Sequence, residues 1–466
     1  MRTYYLAVDI GASSGRHIIG WVEDGEIKLE EIHRFENGMK QNNGSLCWDV
    51  EYLFQEVING MKKCAGKGMI PVSVGIDTWA VDYVLLDSDE KILGNTYGYR
   101  DKRTQGMDEK VYEIIPETSL YKRAGIQKQM FNTIYQLMAH KVQEKELLDQ
   151  AETMLLIPDY FHYRLCGVKA AEYTNVSTTQ LMNPLTSDWD WELIEELGYP
   201  KRIFQKVTAP GTVLGQLLPE IQKEVGFNCN VVLPGTHDTA SAVVSVPSDK
   251  EHPLYISSGT WSLMGTEREE ADGTLMSQEM NFTSEGGYNK RFRFLKNIMG
   301  LWMIQSLRHE LNDKYSFAEL CSMAEEEKNF PSRVDVNDQC FMAPDSMTDA
   351  IKDYCMQSKQ RVPETVGELS TVIYQSLAEC YAATIQEIEN ITEMHFDCIH
   401  VIGGGANAGY LNELTAKYTE RTVYAGPTEA TAIGNLLVQM ITGGWFKNLA
   451  DARECVFKSF EVKKYV

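Results

Sequence analysis

Carboxylates set beside tight turns of small residues recur along this 466-residue chain, and together they could transfer a phosphoryl group. Tyr4 to Arg16 read as an apolar β-type run carrying one carboxylate, Asp9. The run breaks into a turn of Gly11, Ala12, Ser13, Ser14 and Gly15 before Arg16. Small residues let backbone N–H groups and hydroxyls approach a phosphate closely. Asp9, at the strand end, suits a hydrated Mg2+ rather than the phosphate itself, because carboxylate and phosphate repel without a metal between them. An ordinary first strand ending in a polar turn has the same letters. Tyr255 to Ser262 repeat the pattern roughly half a chain later, with a turn of Ser257, Ser258, Gly259 and Thr260. Two strand–turn–strand phosphate loops, one per half, point to a duplicated domain with a nucleotide clamped between the copies.

A second group of residues has the chemistry of an acceptor site. Within Leu233 to Ala240, Asp238 follows a strand-to-helix turn and falls near a helix N-terminus, where the dipole favours its ionised form. A sugar hydroxyl attacking phosphorus needs only a positioned carboxylate to take its proton. His237 beside it can hydrogen-bond the substrate; the plain alternative makes Asp238 a helix cap. Gly75 to Asp82 gather two carboxylates and the Trp79 indole, a wall suited to a polyhydroxylated ligand. Tyr99 to Thr104 add a polar cluster of mixed charge, equally readable as a solvated turn.

Gly403-Gly404-Gly405-Ala406-Asn407 follows a short apolar strand and precedes a helix. No acidic ribose ligand comes after the next strand, so a dinucleotide fingerprint fits poorly. The turn reads better as a flat support for adenine or ribose, or as a plain helix entry. Asn297 and Gln305 flank an apolar stretch. Either one serves the sugar and the other the nucleotide, or both are ordinary helix-start residues.

The elements that must position these residues alternate between periods of two and 3.6. Strands are expected at Tyr4–Ile10, His17–Val22, Ile27–Arg34, Val72–Asp77, Val81–Leu86 and Val231–Leu233, with a helix over Asp49–Ala65. Residues 106–165 read as mostly helical, broken at Pro116 and Pro158, and a helix is expected at Thr239–Val246. Pro247 to Lys250 and Pro253 form the best linker. Beyond it the order repeats: strands at 254–266 and 279–296, helices near 299–311, 315–328 and 364–393. Strand Cys398–Ile402, helix Tyr410–Thr419, strand Thr422–Ala425 and a closing helix over Thr428–Ile441 follow. Mixed βββαβα units occurring twice indicate an α/β fold with helices flanking each sheet.

Composition narrows the class. The chain is too long for one ordinary core, and 43% hydrophobic with 24% charged residues is a globular balance. A net charge of −22 argues against a nucleic-acid or anionic-membrane surface, so a phosphate site must be supplied locally by backbone amides, helix ends and metal. The ten cysteines include no Cys-x-x-Cys, and the nine histidines no His-Glu-x-x-His. Scattered thiols, no leader-like N-terminus and no long apolar run lead us to expect a soluble cytoplasmic protein.

In order, Asp9-Ile-Gly-Ala-Ser-Ser-Gly-Arg16, Asp77-Thr-Trp-Ala-Val-Asp82, Tyr99 to Thr104, Gly235-Thr-His-Asp-Thr239, Ser258-Gly-Thr-Trp-Ser262 and Gly403 to Gly405 with Ala425 to Thr431 resemble the FGGY carbohydrate kinases. The resemblance spans nearly the whole chain. It implies two ribonuclease-H-like domains of the actin, hexokinase and Hsp70 type with a ligand cleft between them. Residues 1–247 would bind sugar and phosphate, and 248–466 the nucleotide. It implies a phosphotransferase with an alcohol acceptor, ATP as co-substrate and Mg2+. The γ-phosphate would go to the C1 hydroxyl of L-rhamnulose. By motif position Asp238 is the base, and Ala12, Ser13, Ser14, Gly15, Arg16, Thr260, Gln305 and Gly404 are ATP contacts. Ala80, His237, Asp238, Thr239 and Asn297 are sugar contacts. Glycine is expected at position 80; the contact there is a backbone one, which an added methyl leaves in place. Another ketose, L-fuculose or xylulose, is the alternative within this class. A nucleotide-driven actin- or Hsp70-like protein is the alternative outside it, and needs no sugar wall.

Overall fold

Tyr4–Ile10, a nearly continuous apolar run buried on both faces, pairs antiparallel with Ser14–Glu23, which in turn pairs antiparallel with Glu26–Glu36. The computed structural model describes residues 2–466. From edge to edge the first sheet runs Val213–Gln216, Asn230–Val232, Pro71–Thr78, Tyr4–Ile10, Ser14–Glu23, Glu26–Glu36. Pro71–Thr78 lies parallel to Tyr4–Ile10, in a register that sets Asp77 opposite Asp9.

Chain contacts define two compact units. One comprises the chain up to Ser245 with Glu267–Phe294 and Thr431–Ser459; the other comprises Val246–Thr266, Leu295–Ala430 and Phe460–Val466. In the first unit, helix Val50–Gly66 buries Leu53, Phe54, Val57, Ile58 and Met61 against the sheet. Its capping residue Asp49 accepts the Tyr52 N–H at 3.0 Å. The opposite face is covered by Ala432, Leu436 and Met440 of helix Ala430–Thr442, packed on Tyr5, Ala7 and Ile18. That contact is close: a Cβ on Gly434 would lie 1.7 Å from the Ser241 carbonyl oxygen. A helical layer, including Met107–Tyr112, Glu117–Ala124, Thr133–Gln143 and Ile157–Cys166, is inserted after residue 100. Pro116 and Pro158 fall at helix starts there, where the missing N–H costs nothing.

The second unit repeats the plan. Its strands run Phe292–Met299, Trp261–Arg268, Leu254–Ser258, Cys398–Ile402, Thr422–Ala425, Lys463–Tyr465. Leu254–Ser258 and Trp261–Arg268 form the antiparallel hairpin, and Cys398–Ile402 is the parallel neighbour, as Pro71–Thr78 is in the first sheet. The expected duplication is therefore present in strand order and direction. Helix Val366–Thr392 opens on a capping box of Thr365 and Glu368. Two helices without an expectation in the sequence pattern, Met347–Gln357 and Leu449–Ser459, complete the units.

One strand is shorter than expected. Val81–Leu86 begins only at Tyr83, because Val81 adopts φ +70° and the Asp82 N–H donates to the Ala80 carbonyl at 3.0 Å. This is a γ-turn of the rare, strained hand, unusual for a β-branched residue. Thr133 Oγ1 holds it by donating to the Val81 carbonyl at 2.7 Å. All ten cysteines are free thiols, and no helix among the described residues is long and apolar enough to cross a membrane.

Candidate active site

In the first unit the hairpin turn is closed by Gly11 N–H donating to the Ser14 carbonyl at 2.9 Å. Asn37 clamps it from the third strand: its N–H reaches the Ser13 carbonyl at 3.0 Å and its amide the Gly11 carbonyl at 2.8 Å. Ala12 and Ser14 are half-buried and Ser13 is exposed, so the turn's crest is open. Gly15 is required by packing, since a Cβ there would lie 2.1 Å from the Phe35 ring. Arg16 turns back on Asp9, with Nε and Nη2 each 3.0 Å from Oδ2.

Three carboxylates, Asp9, Asp77 and Asp238, interact electrostatically at this end of the sheet. Asp77 is fully buried; Asn435 donates to its Oδ2 at 2.6 Å, while Oδ1 has no partner. Burial and then Asp9 hold the Asp77 carboxyl well above the usual carboxylate range. Asp238, at the first position of helix Asp238–Val244, keeps about a third of its side chain exposed (32%). Its Oδ1 accepts the Thr239 N–H at 2.5 Å and the Thr239 hydroxyl at 3.1 Å. The helix cap is His237, so the capping alternative for Asp238 falls away. The helix end favours the ionised form of Asp238, but other effects outweigh it. Burial first, then Asp9, push it up to about 6, outweighing the donors of Thr239.

The loop bearing His237 is anchored by a residue that the sequence did not single out. Glu172, buried, accepts the Thr236 N–H at 3.1 Å, the Thr236 hydroxyl at 2.7 Å and the Thr174 N–H at 3.0 Å. The Thr236 carbonyl accepts from Thr78 N–H at 2.9 Å, which joins the loop to the strand carrying Asp77. His237 Nδ1 lies 3.1 Å from Arg293 Nη2, and Nε2 lies 3.5 Å from Asp238 Oδ1. Burial and the Arg293 charge hold His237 well below the ordinary histidine range, so the ring is neutral.

The expected sugar wall is organised differently from the sequence reading. Trp79 is buried against Trp48, ring centroids 4.0 Å apart, instead of presenting its face. The reason is Asp82: its Oδ2 accepts from Trp48 Nε1 at 2.6 Å, Trp79 Nε1 at 3.0 Å and Tyr99 N–H at 3.0 Å, and its Oδ1 from Gln136 at 2.8 Å. Burial still raises Asp82 to about 6. Ala80 is half-buried, as are Tyr99 and Phe131, whose rings meet edge to face at 5.4 Å. Arg103 of the polar cluster is buried over the Tyr97 ring at 3.8 Å rather than solvated.

In the second unit, Thr260 is exposed at its hairpin turn, and its hydroxyl lies 3.4 Å from Gln305 Oε1. The Trp302 N–H donates to the Thr260 carbonyl at 3.0 Å, docking the helix that carries Gln305 on the turn. Gly405 packs so closely that a Cβ would lie 1.9 Å from Ser258 Oγ, whereas a Cβ on Gly404 would meet nothing within 4 Å. Thr260, Gln305 and Gly404 thus gather around one hairpin. Asn297 is half-buried on strand Phe292–Met299.

Residues 4–245 match the N-terminal domain, and 254–443 the C-terminal domain, of the FGGY family of carbohydrate kinases. A rhamnulokinase of Halalkalibacterium halodurans is 50% identical over 463 residues, covering 99% of this chain and 98% of the relative. One of Oceanobacillus iheyensis is 47% identical over 465 residues, covering 100% and 98%. Among solved structures, a ligand-bound xylulose kinase from Lactobacillus acidophilus superposes with a TM-score of 0.78 at 15% identity, covering 99% of this chain and 93% of that one.

Proposed function

Since the chain belongs to the FGGY family of carbohydrate kinases, with its two-domain α/β fold, we infer that it phosphorylates L-rhamnulose at the C1 hydroxyl with ATP, giving L-rhamnulose 1-phosphate and ADP. The observation that carries the acceptor is near-end-to-end identity, about half of all positions, with relatives named for that sugar. In the first unit, Asp238 is the base. It takes the O1 proton as O1 bonds to the γ-phosphorus and the bond to the β-phosphate oxygen breaks, the electron pair leaving with ADP. His237, Thr239 and the backbone at Ala80 hold the sugar, with Asn297 as a further contact. Ala12 to Arg16 contribute N–H groups and hydroxyls to phosphate, and Thr260, Gln305 and Gly404 hold the nucleotide. Ten free thiols accord with the reducing cytoplasm in which we place the enzyme.

Among the described residues no three ligating side chains are grouped to hold a metal by themselves. A Mg2+ that keeps most of its waters suits the residues present: Asp9 and Asp77 are paired across the strands, and Asp77 Oδ1 is buried without a partner. When bound with the nucleotide, Mg2+ neutralises phosphate charge, and Asp9 and Asp77 would hold it. ADP release measured against L-rhamnulose, L-fuculose, D-xylulose and no sugar tests the reading. Sugar-independent ATP turnover would favour a nucleotide-driven protein instead.

A further inference from the structure

Arg293 is fully buried. Its Nε donates to the Gly286 carbonyl at 3.0 Å, its Nη2 reaches both Glu285 Oε2 at 3.0 Å and His237 Nδ1 at 3.1 Å, and its Nη1 has no partner. A guanidinium has only donors, so His237 Nδ1 must accept. The ring proton therefore sits on Nε2. At 3.5 Å, the Nε2 contact with Asp238 Oδ1 is longer than a hydrogen bond, which leaves that N–H for another acceptor.

We propose that Arg293, paired with Glu285, is a positioning residue that locks His237 as the Nε2–H tautomer, a pure donor to the acceptor hydroxyl of the sugar. This rests on the assignment of His237 and Asp238 to the sugar. A hydroxyl oxygen that accepts from His237 keeps its own hydrogen for Asp238, so the two side chains address one hydroxyl without competing for its proton. The charged groups facing the ring are Asp238, Glu285 and Arg293, with Glu172 one residue removed through Thr236 and Thr174. Burial and the Arg293 charge keep the ring neutral. Without Arg293, Glu285 Oε2, already 3.5 Å from Nδ1, would draw a proton onto that nitrogen.

Histidine ring 15N–1H correlation spectra of the wild-type enzyme, with His237 assigned by difference against His237→Asn, read the tautomer directly. An Nε2–H ring is expected; an Nδ1–H ring overturns the proposal without any Arg293 variant. In Arg293→Met, kcat/KM for the sugar should fall about 10-fold or more, KM for ATP should stay within about twofold, and a new ionisation should enter the pH profile near neutrality. Adding Glu285→Gln removes the carboxylate and should abolish that ionisation, while Arg293→Lys should keep the wild-type tautomer. Equal losses at every pH with unchanged ring signals would make Arg293 a structural residue and refute the proposal. The ring signals do not depend on which sugar is the substrate, so a failure of the L-rhamnulose assignment is distinguishable from a failure here.

Discussion

Titration of Asp238, the proposed base, is the strictest test of the chemistry. A carboxyl at about 6, where Asp238 is held, is about nine-tenths ionised near pH 7 and about a tenth ionised near pH 5. An aspartate left at its ordinary 3.8 would still be ionised at both. The acid limb of kcat/KM for the sugar should therefore bend near pH 6, with about a tenth of the plateau left near pH 5. Asp9 is the second cause of the shift, so Asp9→Asn should move the bend toward acid, whatever it does to the plateau. Asp238→Asn should lose about 10²-fold or more in kcat with ATP affinity by calorimetry nearly unchanged. Stability carries the opposite sign. A carboxyl raised on folding contributes most below the ordinary carboxylate range, and that contribution is lost as pH climbs through about 6. Asp238→Asn should thus melt at or above the wild-type temperature near pH 8. A bend below about pH 4.5, or lost ATP binding with unchanged turnover, would refute the assignment.

Asp82→Ala strips the acceptor from two indoles, an amide and a backbone N–H, and should destabilise the protein by about 3–5 kcal/mol in urea titrations, with a shifted tryptophan emission. Asp82→Asn should cost clearly less. Gly404→Ala should fold as the wild type and raise KM for ATP, since its added methyl meets only open space, whereas Gly405→Ala should lower Tm by colliding with Ser258. In a sugar panel, a missing methyl should cost about 1–3 kcal/mol in kcat/KM and a wrong epimer more, so L-fuculose or D-xylulose at or above L-rhamnulose would overturn the acceptor assignment.

The residues that could be found in the sequence are those whose partners are adjacent in it. Gly11 and Gly259 mark their own hairpins, and the 403–405 turn declares itself by composition. Asp238 could be read as a base from the Pro-Gly-Thr turn before it, but its raised carboxyl could not, because Asp9 and the surrounding burial arrive from distant strands. Glu172, Glu285 and Arg293 carried no signal: their partners Thr236 and His237 stand more than forty residues away, and isolated charges on strands look like surface. Trp79 stands beside Asp82 in the sequence, but nothing local reveals that Trp48 stacks on its ring. The γ-turn at Val81 contradicts its own residue type, and it is held by hydrogen bonds from Thr133 and Gln136 to the Val81 carbonyl.

Helix Ala430–Thr442 has one more implication, for biosynthesis. It follows the first strands by hundreds of residues, yet Asn435 holds Asp77 and Gln439 donates to the Leu6 carbonyl at 2.9 Å. A ribosome releases Tyr5, Ala7 and Ile18 hundreds of codons before Ala432, Leu436 and Met440 exist to cover them. The nascent first sheet must wait with one apolar face bare, a natural target for holdase chaperones. Until that helix emerges, Asp77 also lacks the amide that seats it. Translation interrupted before this point would leave a chain with its hairpin turns made but Asp77 without its amide partner. Turnover would then begin only once this helix has been made.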